Sequence, residues 1–280
     1  MLRVAAVQLQ PMIGKVDSNL AKAVLFIRQA ASSGAQLVVL PELTTTGYVF
    51  ESREEAFSLA EDIPGGHSSV LFADLASELS VHIVIGMSER SGRNLFNTSA
   101  LFSPDGFVGR FRKIHLWDQE NLVFEPGDLG FPTFDTALGR IATMICYDSW
   151  FPESYRACAL GGADLVCIPT NWVPIPGQDP AASAMATVLC MAAAHCNGIV
   201  IVAADRVGTE RGQLFIGQSI IVSHTGWPLA GPASSDKEET LYANIDLAAA
   251  RKSRTWNEFN NPLLNRRPDA YVPQVSASSP

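Results

Sequence analysis

The chain has 280 residues, 47% of them hydrophobic, and a formal charge of −8 at neutral pH. That length and apolar share can bury a large core, while the negative balance excludes a general nucleic-acid binder, whose affinity rests on cationic contacts with phosphate. Five cysteines, an odd number with no close CxxC pair, argue against a disulfide framework or a zinc ribbon. The opening Leu2-Arg3-Val4-Ala5-Ala6-Val7 reads as a strand rather than a signal peptide, and no apolar run reaches the roughly 20 residues that a bilayer needs. The expected location is the reducing cytoplasm, with no membrane partner.

Short apolar strands alternate with amphipathic helices along the chain. Residues 4–9 predict a first strand. Residues 18–32 predict a helix with Leu20, Val24, Ile27 and Ala31 on one stripe, Asp17 or Ser18 as its cap and Gly34 beyond its end. A strand at 36–40, a helix at 68–80 burying Val70, Leu71, Leu75 and Leu79, and strands at 82–86 and 95–102 follow. Pro104-Asp105-Gly106 turns the chain into a strand at 107–111.

The second half repeats the theme. Strands are predicted at 131–134 and 141–145, a helix at 154–160 ended by Gly161-Gly162, a strand at 165–168 and a long helix at 180–197. Strands at 199–203, 219–222 and 241–245 and a short helix at 247–252 complete the order. Continuous apolar runs such as Leu37-Val38-Val39-Leu40 and Ile199-Val200-Ile201-Val202 predict strands covered on both faces. The fold class is α/β with mixed sheets. With no linker rich in glycine and serine, one domain is expected over 1–256, followed by an extended tail over 257–280.

The chemistry concentrates at three strand ends. Cys146 closes the apolar run 141–145 and opens a turn just before a helix, where a thiolate is electrostatically favoured. Glu42 ends Val38-Val39-Leu40-Pro41-Glu42, and its apolar flank raises its proton affinity. Lys113 ends Gly109-Arg110-Phe111-Arg112-Lys113. A nucleophile, a base and a cation at the carboxyl ends of strands suit covalent acyl transfer. Cys146 would attack a carbonyl, Glu42 would shuttle the proton, and Lys113 with the Tyr147 N–H would hold the oxyanion. Taken alone, Cys146 would be a buried core thiol; the two partners tip the reading. Cys158, Cys167, Cys190 and Cys196 read as core thiols. His115 competes as a thiol's base but ranks as a neighbour of the lysine, and His195 reads as a satisfied core histidine. Asp205 and Arg206 read as a structural pair.

Leu40-Pro41-Glu42-Leu43, Arg112-Lys113-Ile114-His115-Leu116 and Ile145-Cys146-Tyr147-Asp148 resemble the three signatures of the nitrilase superfamily of carbon–nitrogen hydrolases. The resemblance runs from about Arg3 to about Ala248. It implies a four-layer αββα sandwich, a Glu–Lys–Cys triad that needs neither metal nor organic cofactor, and pairing into homodimers or larger homo-oligomers. It also implies a second glutamate beyond the lysine, a place that Glu120 fits, with Asp118 and Glu125 as competitors.

Classical nitrilases resemble Cys-Trp-Glu where this chain has Cys146-Tyr147-Asp148, which favours amides or carbamoyl compounds over nitriles. Relatives that bind carboxylates place arginine shortly after the aspartate. Here Ser149-Trp150 stands there, and an indole cannot clamp a carboxylate as a guanidinium does. The expected substrate is therefore a small neutral or apolar carboxamide. An N-carbamoyl amine hydrolase and then a nitrilase are the rival activities, and a non-catalytic interaction protein is the rival class. Tyr48, Trp117, Tyr147, Asn171 and Trp172 are the expected pocket walls.

Overall fold

The computed structural model describes residues 1–177, 179 and 182–271. In chain order the first half holds β1 (Leu2–Gln8), α1 (Val16–Ser32), β2 (Leu37–Val39), α2 (Arg53–Leu59), α3 (His67–Leu79), β3 (His82–Ser91), β4 (Asn94–Ser103), β5 (Gly106–Arg112) and α4 (Glu120–Val123). The second half holds β6 (Thr133–Thr136), β7 (Gly139–Thr143), α5 (Pro152–Leu160), β8 (Leu165–Pro169), α6 (Met185–Asn197) and β9 (Val200–Ala204). It continues with β10 (Val207–Glu210), β11 (Gln213–Ile216), β12 (Ile220–Val222), β13 (Pro228–Ala230), β14 (Glu239–Ile245) and α7 (Leu247–Lys252).

Two six-stranded sheets form, in the orders β14-β1-β2-β3-β4-β5 and β13-β12-β9-β8-β7-β6, with β10 and β11 as a separate hairpin. Each sheet is mixed. β1, β2 and β3 are parallel, as are β7, β8 and β9, and the outer strands run antiparallel. Strand alternation builds the layers. Ala5 and Val7 face α1 and α3 with Val38, Ile83 and Ile85. Val4, Ala6, Leu37, Val39 and Val84 face the other way, against Ile141, Leu165, Cys167, Val200 and Val202 of the second sheet. That sheet's far side, with Val166, Ile168 and Ile201, packs on Tyr155, Cys158, Cys190 and Ala194 of α5 and α6. The order is helix, sheet, sheet, helix, as the resemblance implies.

Several expectations change. Neither Asp17 nor Ser18 caps α1. The helix begins at Val16 without a side-chain cap, and its start is held by Asn19, which accepts from Met12 N at 2.8 Å and donates to Met12 O at 2.7 Å. Val70 is half exposed on the outer side of α3. The long helix begins at Met185, and positions 180 and 181 of its predicted span lie outside the described residues. From 257 to 271 the tail is not extended. The side chains of Asn257 and Asn261 accept backbone N–H groups two and three residues on, folding it into Asx turns. Residues 272–280 of the predicted tail lie outside the described residues.

Candidate active site

Three strand ends meet at the carboxyl edge of both sheets. Glu42 follows β2 and Lys113 follows β5 in the first sheet; Cys146 follows β7 in the second. Lys113 is fully buried, and its Nζ donates to Glu42 Oε1 and Glu120 Oε1, both at 2.7 Å. Two of the ammonium's three N–H groups are used in this way. Burial works against its charge, yet the Glu120 and Glu42 carboxylates outweigh it and hold the lysine protonated, above the ordinary range. Glu120 Oε2 accepts from Trp117 N at 2.9 Å, so the carboxylate is fixed from both sides. Asp118 is exposed and Glu125 pairs with Arg53, so of the three acids beyond the lysine only Glu120 reaches it.

Glu42 uses its two oxygens unequally. Oε1 accepts from Lys113 and from Asn97 Nδ2 at 2.6 Å, whereas buried Oε2 has no partner among the described residues. Burial, opposed by Lys113, lifts the pKa to about 7. A carboxyl with a free oxygen and that affinity can take and return a proton near neutrality.

Cys146 opens a single 3₁₀ turn over Cys146–Trp150, ahead of α5. Its φ of +43 lies in the left-handed region, where a residue with a side chain is strained, and such strain gathers at functional sites. The expectation of a standing thiolate does not hold. Burial and then the Glu42 charge push the thiol well above its ordinary range, with Lys113 opposing. Proton loss from this sulfur therefore needs an acceptor at hand.

Asp148 joins the lysine and cysteine segments. Its Oδ1 accepts from His115 N at 2.9 Å and lies 2.7 Å from His115 Nδ1; its Oδ2 accepts from Ile145 N at 3.2 Å. His115 stacks on Phe151 at 3.7 Å and is engaged by this aspartate. His195 is exposed rather than in the core, with Nδ1 3.1 Å from Thr225 O. Cys158, Cys167 and Cys190 are buried as expected, but Cys196 is exposed near the end of α6. Asp205 and Arg206 form no side-chain ion pair among the described residues. Asp205 accepts from Trp172 N at 2.8 Å and from the Arg206 backbone N–H, while the Arg206 guanidinium pairs with Glu210.

A narrow pocket, about 20 Å³ in volume, opens on the sulfur. Its walls include Trp117, Tyr147, Asn171 and Trp172 from the expected set, with Trp150, Val173, Ile175 and Ile216 beside them. Among the described residues, none that lines it is charged. Tyr48 lines an adjoining, more polar pocket that shares Trp117 and Val173. Asn171 Nδ2 donates to Glu42 O at 3.1 Å, tying the wall to the base.

Sequence reasoning missed Asn97, Asp148 and most of the apolar wall. Asn97 is a fully buried amide inside β4, a strand buried along nearly all its length. A polar residue in an otherwise buried run is its one sequence signal, because a buried amide needs a partner. Ile175 and Ile216 carry no signal, since an isoleucine that lines a pocket looks like one that fills a core.

The carbon-nitrogen hydrolase family model matches residues 3–255. Over 271 residues the chain is 43% identical to a protein named nitrilase from Pyrococcus abyssi, covering 97% of this chain and 99% of that one. It is 36% identical to the N-carbamoylputrescine amidase of Solanum lycopersicum, over 91% of this chain and 89% of the other. Among solved structures, a carbon-nitrogen hydrolase from Helicobacter pylori G27 is similar with a TM-score of 0.84 and 28% identity, over 97% of this chain and 96% of that one.

Proposed function

The chain belongs to the carbon–nitrogen hydrolase family, and from that membership we propose that it hydrolyses a small neutral or apolar carboxamide to the carboxylic acid and ammonia. The observation that carries this reading is the contact of Lys113 Nζ with Glu42 Oε1 at 2.7 Å, which leaves Glu42 Oε2 without a partner among the described residues, close enough for both charges to act on Cys146, a residue that lines a pocket with no charged residue among those described. Cys146 Sγ attacks the carbonyl carbon while its proton passes to Glu42 Oε2. The remaining N–H of Lys113 and the Tyr147 N–H hold the oxyanion. As the tetrahedral intermediate collapses, Glu42 gives the proton to the departing nitrogen, and the carbon–nitrogen bond breaks to leave a thioester. Water then gives a proton to Glu42 and attacks the thioester, and Cys146 leaves with that proton restored. Glu120 fixes Lys113 throughout.

A second reading has support from the N-carbamoylputrescine amidase relative. A ureido carbon fits the same steps, but its product acid is a carbamate that loses carbon dioxide. A screen of amides, carbamoyl amines and nitriles, with ammonia and carbon dioxide both measured, separates the two. Ammonia alone from neutral amides supports the amidase; equal carbon dioxide from carbamoyl compounds replaces it with the rival. Turnover of an acidic amide severalfold above its neutral analogue overturns the assignment to neutral substrates.

We also place the protein in a reducing compartment such as the cytoplasm, which suits five free thiols, one of them exposed. Two copies are proposed to pair through α5, α6 and the residues after Trp256. Leu160, Val188, Trp256, Phe259 and Leu264 are exposed there, around a groove between α5, α6 and Pro262.

A further inference from the structure

The hairpin of β10 and β11 carries a buried ion pair that the proposed reaction does not use. Arg206 and Glu210 are both buried, with Arg206 Nη2 3.1 Å from Glu210 Oε1 and Nη1 3.3 Å from Oε2. Arg206 also donates to Pro11 O at 2.8 Å and lies 4.1 Å above the Phe215 ring. A buried pair is a weak source of stability, because desolvation offsets its attraction. The placement of Glu210 gives it another use. Its Oε2 accepts two consecutive backbone N–H groups, Tyr48 N and Val49 N, each at 2.7 Å.

The same stretch is held from other sides. Arg211, itself at φ +46, donates to Val49 O at 2.8 Å. The Tyr48 ring meets the edge of Phe215 at 5.7 Å. Gly47, at φ +84, lies so close that a Cβ there would strike the Ile13 backbone and come within 2.9 Å of Glu210 Oε1. Tyr48 and Glu120 line the same pocket; the phenol bonds Glu120 and feels the charges of Glu42 and Cys146, and Lys113 bridges the two glutamates.

We propose that Glu210, steadied by Arg206, is a positioning residue: by gripping the backbone at Tyr48 and Val49 it sets the phenol against the carboxylates that share Lys113. A phenol O–H directed at that cluster favours the ionised carboxylates. Displacing it takes a donor from Glu120, whose charge then bears more fully on Glu42; Glu42 holds its proton to higher pH, and Cys146 surrenders its own less readily. This inference rests on the proposed role of Glu42 as proton acceptor for Cys146, but its test needs no substrate.

The test is the pH profile of Cys146 alkylation by iodoacetamide in the full chain, read by peptide mass spectrometry in wild type, Glu210→Gln, Tyr48→Phe and the double variant. Glu210→Gln is expected to move the midpoint upward by about half a pH unit or more. Tyr48→Phe moves it the same way, and the double variant moves it no further than Tyr48→Phe alone. An unmoved midpoint in Glu210→Gln, with only a lower melting temperature, overturns the proposal, as do shifts that add in the double variant. If Glu210→Gln fails to fold, Glu210→Asp takes its place. It keeps the charge for Arg206 but shortens the reach to Tyr48 N, and the same upward shift is expected. Loss of the inflection near neutral pH in Glu42→Gln, leaving only the alkaline rise from the thiol's own ionisation, separates the two ideas. If that variant keeps the wild-type profile, the role of Glu42 fails, whatever Glu210 does.

Discussion

Glu42 divides its work between two oxygens, one anchored by Lys113 and Asn97 and one without a partner. Glu42→Gln keeps the shape and removes the proton acceptor. Amide turnover should fall by about 10²–10⁴-fold, the usual contribution of general acid–base catalysis, with the melting temperature near that of wild type. The pKa of about 7 also gives a sign for pH. Only the ionised carboxyl can accept the thiol proton, so kcat/KM should rise with pH through about 7 and level above it. Stability runs the opposite way. The buried carboxyl binds its proton more tightly than the same group in the unfolded chain, so its contribution falls as pH rises from the ordinary carboxylate range to about 7. Paired activity and melting profiles check both signs, and the stability slope in that window should flatten in Glu42→Gln.

At the scale of elements, a glycine backs each of two chemical segments. Gly86 of β3 lies against the Glu42 backbone, where a Cβ would come within 2.6 Å of Leu43 N. Gly127 lies against Arg112 O and donates its N–H to Lys113 O at 2.8 Å. Gly86→Ala must push the Glu42 segment aside. It should cost about 1–3 kcal/mol in stability and reduce turnover more than the melting shift alone explains, as calorimetry and steady-state kinetics would show. β2 was legible from its apolar run, and β5 from the Pro104-Asp105-Gly106 turn before it. α2 and the β10–β11 hairpin were not. Both are short, and the signals that define them, the Ser52 cap on Glu55 N and the pairing of Val207 with Ile216, lie outside hydrophobic periodicity. Glu42, Lys113 and Cys146 were legible from strand-end position. Glu120 needed the family resemblance to stand out from Asp118 and Glu125. Asn97 and Asp148 were hidden, because their roles depend on which strands become neighbours. The thiol's proton affinity was misjudged for a related reason: burial depth outweighs a nearby helix start.

For the molecule as a whole, the apolar side chains on α5, α6 and the turns after Trp256 make the outer layer of the second sheet unlike an ordinary solvated surface. Light scattering should give a mass at least twice the 30.1 kDa of one chain. Val188→Arg with Leu160→Arg should shift it toward the monomer, and an unchanged mass would count against pairing through this face. The two sheets also divide the chemistry between them. Base, ammonium and second glutamate come from the first 120 residues, the sulfur and most of the apolar wall from beyond 140. Residues 128–130 between them are exposed, while β14 crosses back to pair with β1 and ties the later half to the earlier sheet. The polypeptide is therefore a natural candidate for fragment complementation. Severed after Leu129, each piece should be inert alone, and turnover regained on mixing would serve as a direct meter of their reunion.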